Sequence, residues 1–291
     1  MLWPLRVLLM LIAATLACVA ANAARAESQR ADVCERAAFR VVIDVGHTAQ
    51  APGATSARGL TEFAFNLNLA GRVKQRLVDA GFRRSVLLIS EGRSFKALAE
   101  RVRRANALGA DLFLSIHHDS VPDKFLEKWE YEGQQRGFSD RFRGHSIFIS
   151  YDNSDRAGSL LFAKALGSQL RKRGLQYTPH YTERYMGHRQ RVLVDAQEGV
   201  YRYDQLIVLR DTDMPAVLLE AGSIINREEE LQMGSVERQT LISAAVTDAV
   251  ESFCAARRPR TPVNVANQAG KETKQATAPA AAAPARTIKQ R

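Results

Sequence analysis

A succession of short apolar runs, separated by amphipathic stretches of helical spacing, constrains the fold of this chain more than any other feature. "FRVVIDVGH" (39–47), "SVLLIS" (85–90), "DLFLSIH" (111–117), "HSIFISY" (145–151), "LIVLR" (206–210) and "PAVLLEAG" (215–222) each read as a strand, several with no polar alternation. Strands of that kind are buried on both faces, as in a parallel sheet. Between them, 61–82 places Phe65, Leu69, Val73 and Leu77 on one helical face, with Thr61 as N-cap and Gly81 as the stop. Further helices are expected over 94–110, about 157–173 and about 228–254, the last opening on "REEE" after a turn at Asn226. Strands alternating with helices predict an α/β three-layer sandwich, with a central, mostly parallel sheet flanked by helices.

The ends read differently. "MLWPLRVLLMLIAATLACVAANAARA" has a basic residue, an apolar stretch and small residues before Ala26, the layout of a cleaved secretory signal peptide over 1–26. Its apolar run is shorter than the roughly 20 residues that span a bilayer, and Thr15 fits a lipoprotein signal at Cys18 poorly. The chain is therefore expected in the periplasm or secreted, and not membrane-spanning once the leader is removed. Residues 257–291 are rich in Pro, Ala and polar side chains and are expected to be a disordered basic tail. Of the net charge of +10, the tail carries eight basic residues against one acid and the leader two more. The 27–256 region is thus nearly neutral, which leaves no footprint for nucleic acid.

Cleavage leaves Cys34, just before the first strand, and Cys254, at the end of the last helix. An oxidising compartment permits a disulfide, which on the loop-entropy model contributes up to ~5 kcal/mol; two separate buried thiols are the alternative. Two segments, 121–144 and about 176–200, exceed ordinary connections and are either functional loops or surface elaboration.

In sheets of this kind ligands bind beyond the carboxyl ends of the strands. Three strands end there in His47, in the pair His117–His118, and in Glu220, and Glu62 opens the first helix after a Gly-containing loop. Two imidazoles and a carboxylate make the ligand set of a catalytic zinc site with one open position, and a further carboxylate can move the proton. Spacing alone leaves this open against hydrogen-bonded structural histidines and solvated carboxylates. Neighbouring side chains on a strand point to opposite faces, so His117 and His118 cannot easily serve one small site.

Four blocks in order, "VVIDVGHTAQAPGA", "GLTEFAFNLNLA", "LFLSIHHDS" and "VLRDTDMPAVLLEAGSIINREEE", resemble the zinc-dependent N-acetylmuramoyl-L-alanine amidases over roughly 39–254. The resemblance implies an α/β catalytic domain over 27–256 that cleaves the amide between N-acetylmuramic acid and the L-alanine of the peptidoglycan stem peptide. It implies Zn2+ bound by His47, Glu62 and His117, and Glu220 as the catalytic general base and acid. Peptidoglycan is the implied substrate, and a protein activator the implied kind of partner. The chain departs from the family at Thr48–Ala49, where many members have two glycines, and at His118, where a small residue is usual. No separate targeting domain is expected before the first strand, nor a long plug helix after "HSIFISYDN". Asp44 and Asp119 are expected to orient ligands or loops, and His118 to face away from the metal. The competing readings are a wall-binding or regulatory module without catalysis and a zinc carboxypeptidase on a related fold.

Overall fold

The computed structural model describes residues 34–93 and 95–257. The expected leader, and the tail beyond Arg257, lie outside the described residues. In chain order the elements are β1 (Val41–Val45), α1 (Glu62–Asp79), β2 (Val86–Leu88), α2 (Phe95–Ala107), β3 (Leu112–Asp119), β4 (Glu127–Tyr131), β5 (Gln134–Phe138), β6 (Ser146–Ile149) and α3 (Arg156–Lys172). Two short 3-10 stretches, His180–Thr182 and Arg184–Arg189, precede β7 (Val192–Asp195) and β8 (Val200–Arg202). The last described elements are α4 (Ile207–Arg210), β9 (Ala216–Ser223), α5 (Arg227–Gly234) and α6 (Val236–Ala256).

Seven strands form one sheet in the order β2-β1-β3-β9-β6-β8-β7. Alternate residues of the apolar strands serve two separate cores, which is why those strands lack polar alternation. Val41, Ile43, Val45, Leu114 and Leu219 pack with Phe65 and Leu69 of α1, Phe162 of α3 and Val246 of α6. Val42, Phe113 and Leu218 face the opposite way, onto Val102 of α2, Leu209 of α4 and Tyr181 and Met186 of the 3-10 stretches. These are the three layers expected. Four ladders are parallel, whereas β6 runs antiparallel to β9 and β7 antiparallel to β8.

Local chemistry sets the ends of the elements. The Thr61 hydroxyl accepts from the Ala64 N–H (3.3 Å) at the start of α1. Beyond its end, Gly81 takes φ +99°, a conformation that favours glycine. Ser235 breaks the expected final helix in two and caps α6 by accepting from the Arg238 N–H (3.2 Å). Cys34 and Cys254 form a disulfide that joins the segment before β1 to the last turn of α6.

Two expectations are corrected. "LIVLR" is not a strand: Ile207–Arg210 is a helical turn with Val208 and Leu209 buried. A five-residue apolar run cannot tell strand from buried helix, and here Asn153 holds the turn's exit by donating to the carbonyls of Leu209 (2.7 Å) and Thr212 (3.0 Å). Beyond β6 the sheet is instead extended by β8 and β7, whose residues lie largely within the segment read as a long loop. Segment 121–144 likewise contains the hairpin β4–β5. Trp129 on that hairpin donates to the Ala57 carbonyl (3.0 Å), in the loop that leads to Glu62. Among the described residues, no helix is long and apolar enough to cross a membrane.

Candidate metal centre and active site

Three strands and one helix start deliver the polar residues to the carboxyl edge of the sheet. His47 follows β1 with φ +67°, unusual for a residue with a side chain. Arg101 of α2, 3% exposed, donates to the His47 carbonyl and so holds that backbone. Arg101 is itself paired with buried Asp44 (3.5 Å), which also accepts from the Ser115 hydroxyl (2.7 Å). Burial pushes the Asp44 carboxyl up, opposed by Arg101 and Ser115. Asp44 thus acts on His47 through an arginine and not by touching its ring.

Glu62 sits in the first turn of α1, 5% exposed, where the helix N-terminus favours negative charge. Its Oε2 lies 2.9 Å from His47 Nε2 and accepts from the Ala54 N–H (3.1 Å). Its Oε1 lies 2.9 Å from His117 Nδ1 and accepts from the Asn66 amide (3.3 Å). Burial alone would raise this carboxyl, but hydrogen bonds from His117 and His47 outweigh it and hold the group well below the ordinary range. Potential ligand atoms of His47, Glu62 and His117 lie within 4.8 Å of one another, the one such cluster among the described residues.

At two glycines beside this trio the loops leave no room for a side chain. A Cβ on Gly46 would stand 2.4 Å from the His117 ring, and one on Gly53 (φ +78°) 2.4 Å from Glu62 Oε2. Two imidazoles and an ionised carboxylate, packed this closely, match the donor chemistry of a divalent zinc site.

His118 faces away. Its ring packs against Phe65 of α1 (centroids 5.5 Å apart), and Nδ1 lies 2.8 Å from Asn66 Oδ1. Burial drives its pKa down to about 3, so the ring is neutral. The two histidines therefore serve opposite faces, as the strand geometry requires.

Glu220 on β9 lies directly across the parallel ladder from His117. It is half-buried, and its Oε2 has no hydrogen-bond partner among the described residues. Burial pushes its carboxyl well above the ordinary range; Asp119 and Glu62 add to this, and Arg189 opposes it. Asp119, at the end of β3, accepts from the Tyr181 hydroxyl (2.8 Å) and from Arg189 (3.3 Å). Its carboxyl is pushed up to about 6 by burial, against the pull of Arg189 and Tyr181. It contacts neither His47 nor His117; its histidine neighbour is His180 (3.5 Å).

A cleft of about 380 Å³ opens beside His47 and His117, with apolar walls from Leu98, Leu206, Val208 and Leu218. A second cleft of about 510 Å³, lined by Arg143, His145, Glu229 and Arg238 among others, contains none of the four candidate residues.

Asn66, Arg101, Tyr181 and Arg189 were not singled out from the sequence. Two left a trace there: Asn66 lies one helical turn after Glu62, and Arg101 sits beside Val102 and Ala105 in a helix that must bury a face. Tyr181 and Arg189 reach Asp119 from a segment with no periodicity, and nothing in the sequence ties them to it.

The model of a family described as N-acetylmuramoyl-L-alanine amidase matches residues 41–252. The chain is 28% identical over 214 residues to the uncharacterized protein YqiI of Bacillus subtilis, covering 73% of this chain and 84% of that one. It is 23% identical over 236 residues to the N-acetylmuramoyl-L-alanine amidase AmiC of Neisseria meningitidis, covering 73% of this chain and 52% of AmiC, about half that relative's length. In fold it is similar to the crystal structure of the amidase Ami1 of Mycobacterium smegmatis, with a TM-score of 0.57, 21% identity, and coverage of 76% and 99% of the two chains. The matched stretch holds the whole sheet and every residue of the histidine–carboxylate cluster, and the chain belongs to the N-acetylmuramoyl-L-alanine amidase family.

Proposed function

We propose that this protein is a zinc-dependent hydrolase of the amide bond between N-acetylmuramic acid and the L-alanine of the peptidoglycan stem peptide. His47, Glu62 and His117 hold the metal, and Glu220 is the general base and acid. The observation that carries this reading is the Glu220 carboxylate, its Oε2 without a partner among the described residues, directly across the ladder from His117 of a compact His–Glu–His cluster. When bound, zinc supplies Lewis acidity, polarising the scissile carbonyl and lowering the pKa of a water molecule.

The remaining chemistry belongs to the chain. Glu62 stays ionised because five neighbours donate to or face its two oxygens, so it brings a lasting negative charge to a divalent cation. Arg101 and the glycines at 46 and 53 set the backbone from which the His47 and Glu62 side chains reach inward. Glu220 takes a proton from the attacking water and passes it to the departing amine of L-alanine. A carboxyl with a raised proton affinity suits that relay, since it must hold the proton between the two steps. The apolar cleft beside His47 and His117 accommodates uncharged parts of the substrate near the scissile bond.

In this reading residues 1–26 are a leader that exports the chain, 27–256 the catalytic domain and 257–291 a basic tail. The enzyme acts outside the cytoplasm in wall remodelling or daughter-cell separation. The test is mass spectrometry of the products of purified sacculi, with and without a chelator and with zinc restored. The expected products are intact stem peptides beginning with L-alanine, lost on chelation and recovered with zinc. Release of single terminal amino acids would identify a carboxypeptidase. Binding to sacculi without any product would identify a non-catalytic wall module.

A further inference from the structure

We infer that His118 is a positioning residue of the metal centre, which acts through Asn66 to fix the Glu62 carboxylate. The inference rests on the metal reading above and assigns the histidine for which that reading has no use. Asn66 is fully buried, and its amide nitrogen donates to two groups, the Gly46 carbonyl (3.1 Å) and Glu62 Oε1 (3.3 Å). A carbonyl and an ionised carboxylate only accept. The amide must therefore turn its NH2 towards them and its oxygen away, and that oxygen meets His118 Nδ1 at 2.8 Å. An oxygen facing Nδ1 requires the proton on Nδ1, so the tautomer of His118 and the orientation of Asn66 determine each other.

This path joins the three segments that bear the candidate ligands. Gly46 precedes His47, Glu62 is the middle ligand, and His118 follows His117. The His118 N–H also faces Glu62 Oε1, at 3.4 Å. Without the imidazole donor, the Asn66 oxygen is left buried and unpaired, and rotation of the amide would turn that oxygen onto the carboxylate. Either outcome loosens Glu62 (outer partners of this kind are worth about 10–100-fold in metal affinity).

The experiment measures zinc affinity of the full chain by competition with a chelator of known strength. His118→Phe keeps a buried ring and removes the donor; zinc affinity is expected to fall about 10–100-fold. His118→Gln, whose amide can donate to Asn66, is expected to recover most of it. Asn66→Leu should lose a similar amount. The double variant should lose no more than the worse single, because both changes break one path. Wild-type affinity in His118→Phe, or losses that simply add, would overturn the inference. The ring tautomer is a readout that needs neither variant nor metal. Long-range nitrogen NMR of chelated wild-type protein should show His118 protonated at Nδ1, and a proton at Nε2 would equally overturn it. A wild-type chain that takes up no zinc sinks the metal reading itself, whereas normal wild-type uptake with an unaffected His118→Phe sinks this inference alone.

Discussion

The candidate site has two halves built on opposite principles. Around Glu62, both carboxylate oxygens have neighbours, and hydrogen bonds hold the acid ionised despite its burial. Around Glu220, one carboxylate oxygen has no partner among the described residues, and burial with two neighbouring acids raises its proton affinity. In the proposed mechanism the first half keeps a charge in place and the second lets a proton come and go. Both are glutamates on adjacent parts of one sheet edge, so the difference lies in their surroundings and not in the side chain.

The widest gap between the halves should appear on neutralising each glutamate. Glu220→Gln is expected to lower turnover by about 10²–10⁴-fold, the usual scale for a lost general base, with zinc content unchanged. Glu62→Gln is expected to lose zinc itself, because the cluster then lacks its one anionic ligand. Metal analysis beside sacculus hydrolysis separates the two. If Glu220→Gln lost its zinc, or Glu62→Gln kept it, the division of labour would collapse.

A smaller effect should follow from Arg189, the cation that tempers the acidic half. Its guanidinium donates to Asp119, to the Ser120 carbonyl (2.8 Å) and to the Tyr181 hydroxyl (3.2 Å), and its charge lowers the pKa of Glu220. Without that charge the Glu220 carboxyl holds its proton to higher pH, so less of it is a base under acidic conditions. Arg189→Gln is therefore expected to move the acid limb of kcat/KM to higher pH. Its loss of activity should be far smaller than that of Glu220→Gln and concentrated on the acid side. An unchanged or oppositely shifted acid limb would separate Arg189 from Glu220.

How much of this was legible in the sequence follows from how local each cause is. Apolar runs and helical spacing are local, so the central strands could be named in advance; His47, Glu62, His117 and Glu220 were singled out by the resemblance of their four sequence blocks to the amidases, and the structure brings those four to one edge. The strand at 206–210 was misread because five apolar residues suit either a buried strand or a helical turn, and packing beneath Asn153 decides. β7 and β8 are short and went unseen because the hairpin they form joins the sheet only through β6, about fifty residues earlier in the chain. Asn66 and Arg101 were missed because their function is a hydrogen bond to backbone atoms 20 and 54 positions away. Opposite facing of adjacent strand residues separated His118 from His117, but its partner became visible only in three dimensions.

The smallest effect tests whether burial of a neutral histidine is itself a sign of use. His118 and His145 are both buried, and burial lowers both, to about 3 and about 4. His118 has Asn66, whereas neither ring nitrogen of His145 makes a well-formed hydrogen bond among the described residues, the Gln176 backbone being a polar neighbour. An unpaired buried polar group costs roughly 1–3 kcal/mol, so His145→Leu, of similar bulk, is expected to stabilise the fold by roughly 1 kcal/mol at neutral pH. Between an unfolded value near 6.5 and a folded value of about 4, the unfolded chain takes up a proton that the folded ring refuses. Wild-type stability should therefore lose up to about 1.4 kcal/mol per pH unit from this residue as pH falls through that window. The advantage of His145→Leu should widen accordingly between pH 7 and pH 5 in chemical denaturation. A variant less stable than wild type at both values would mean that the His145 ring is partnered after all, and the contrast with His118 would then lose its basis.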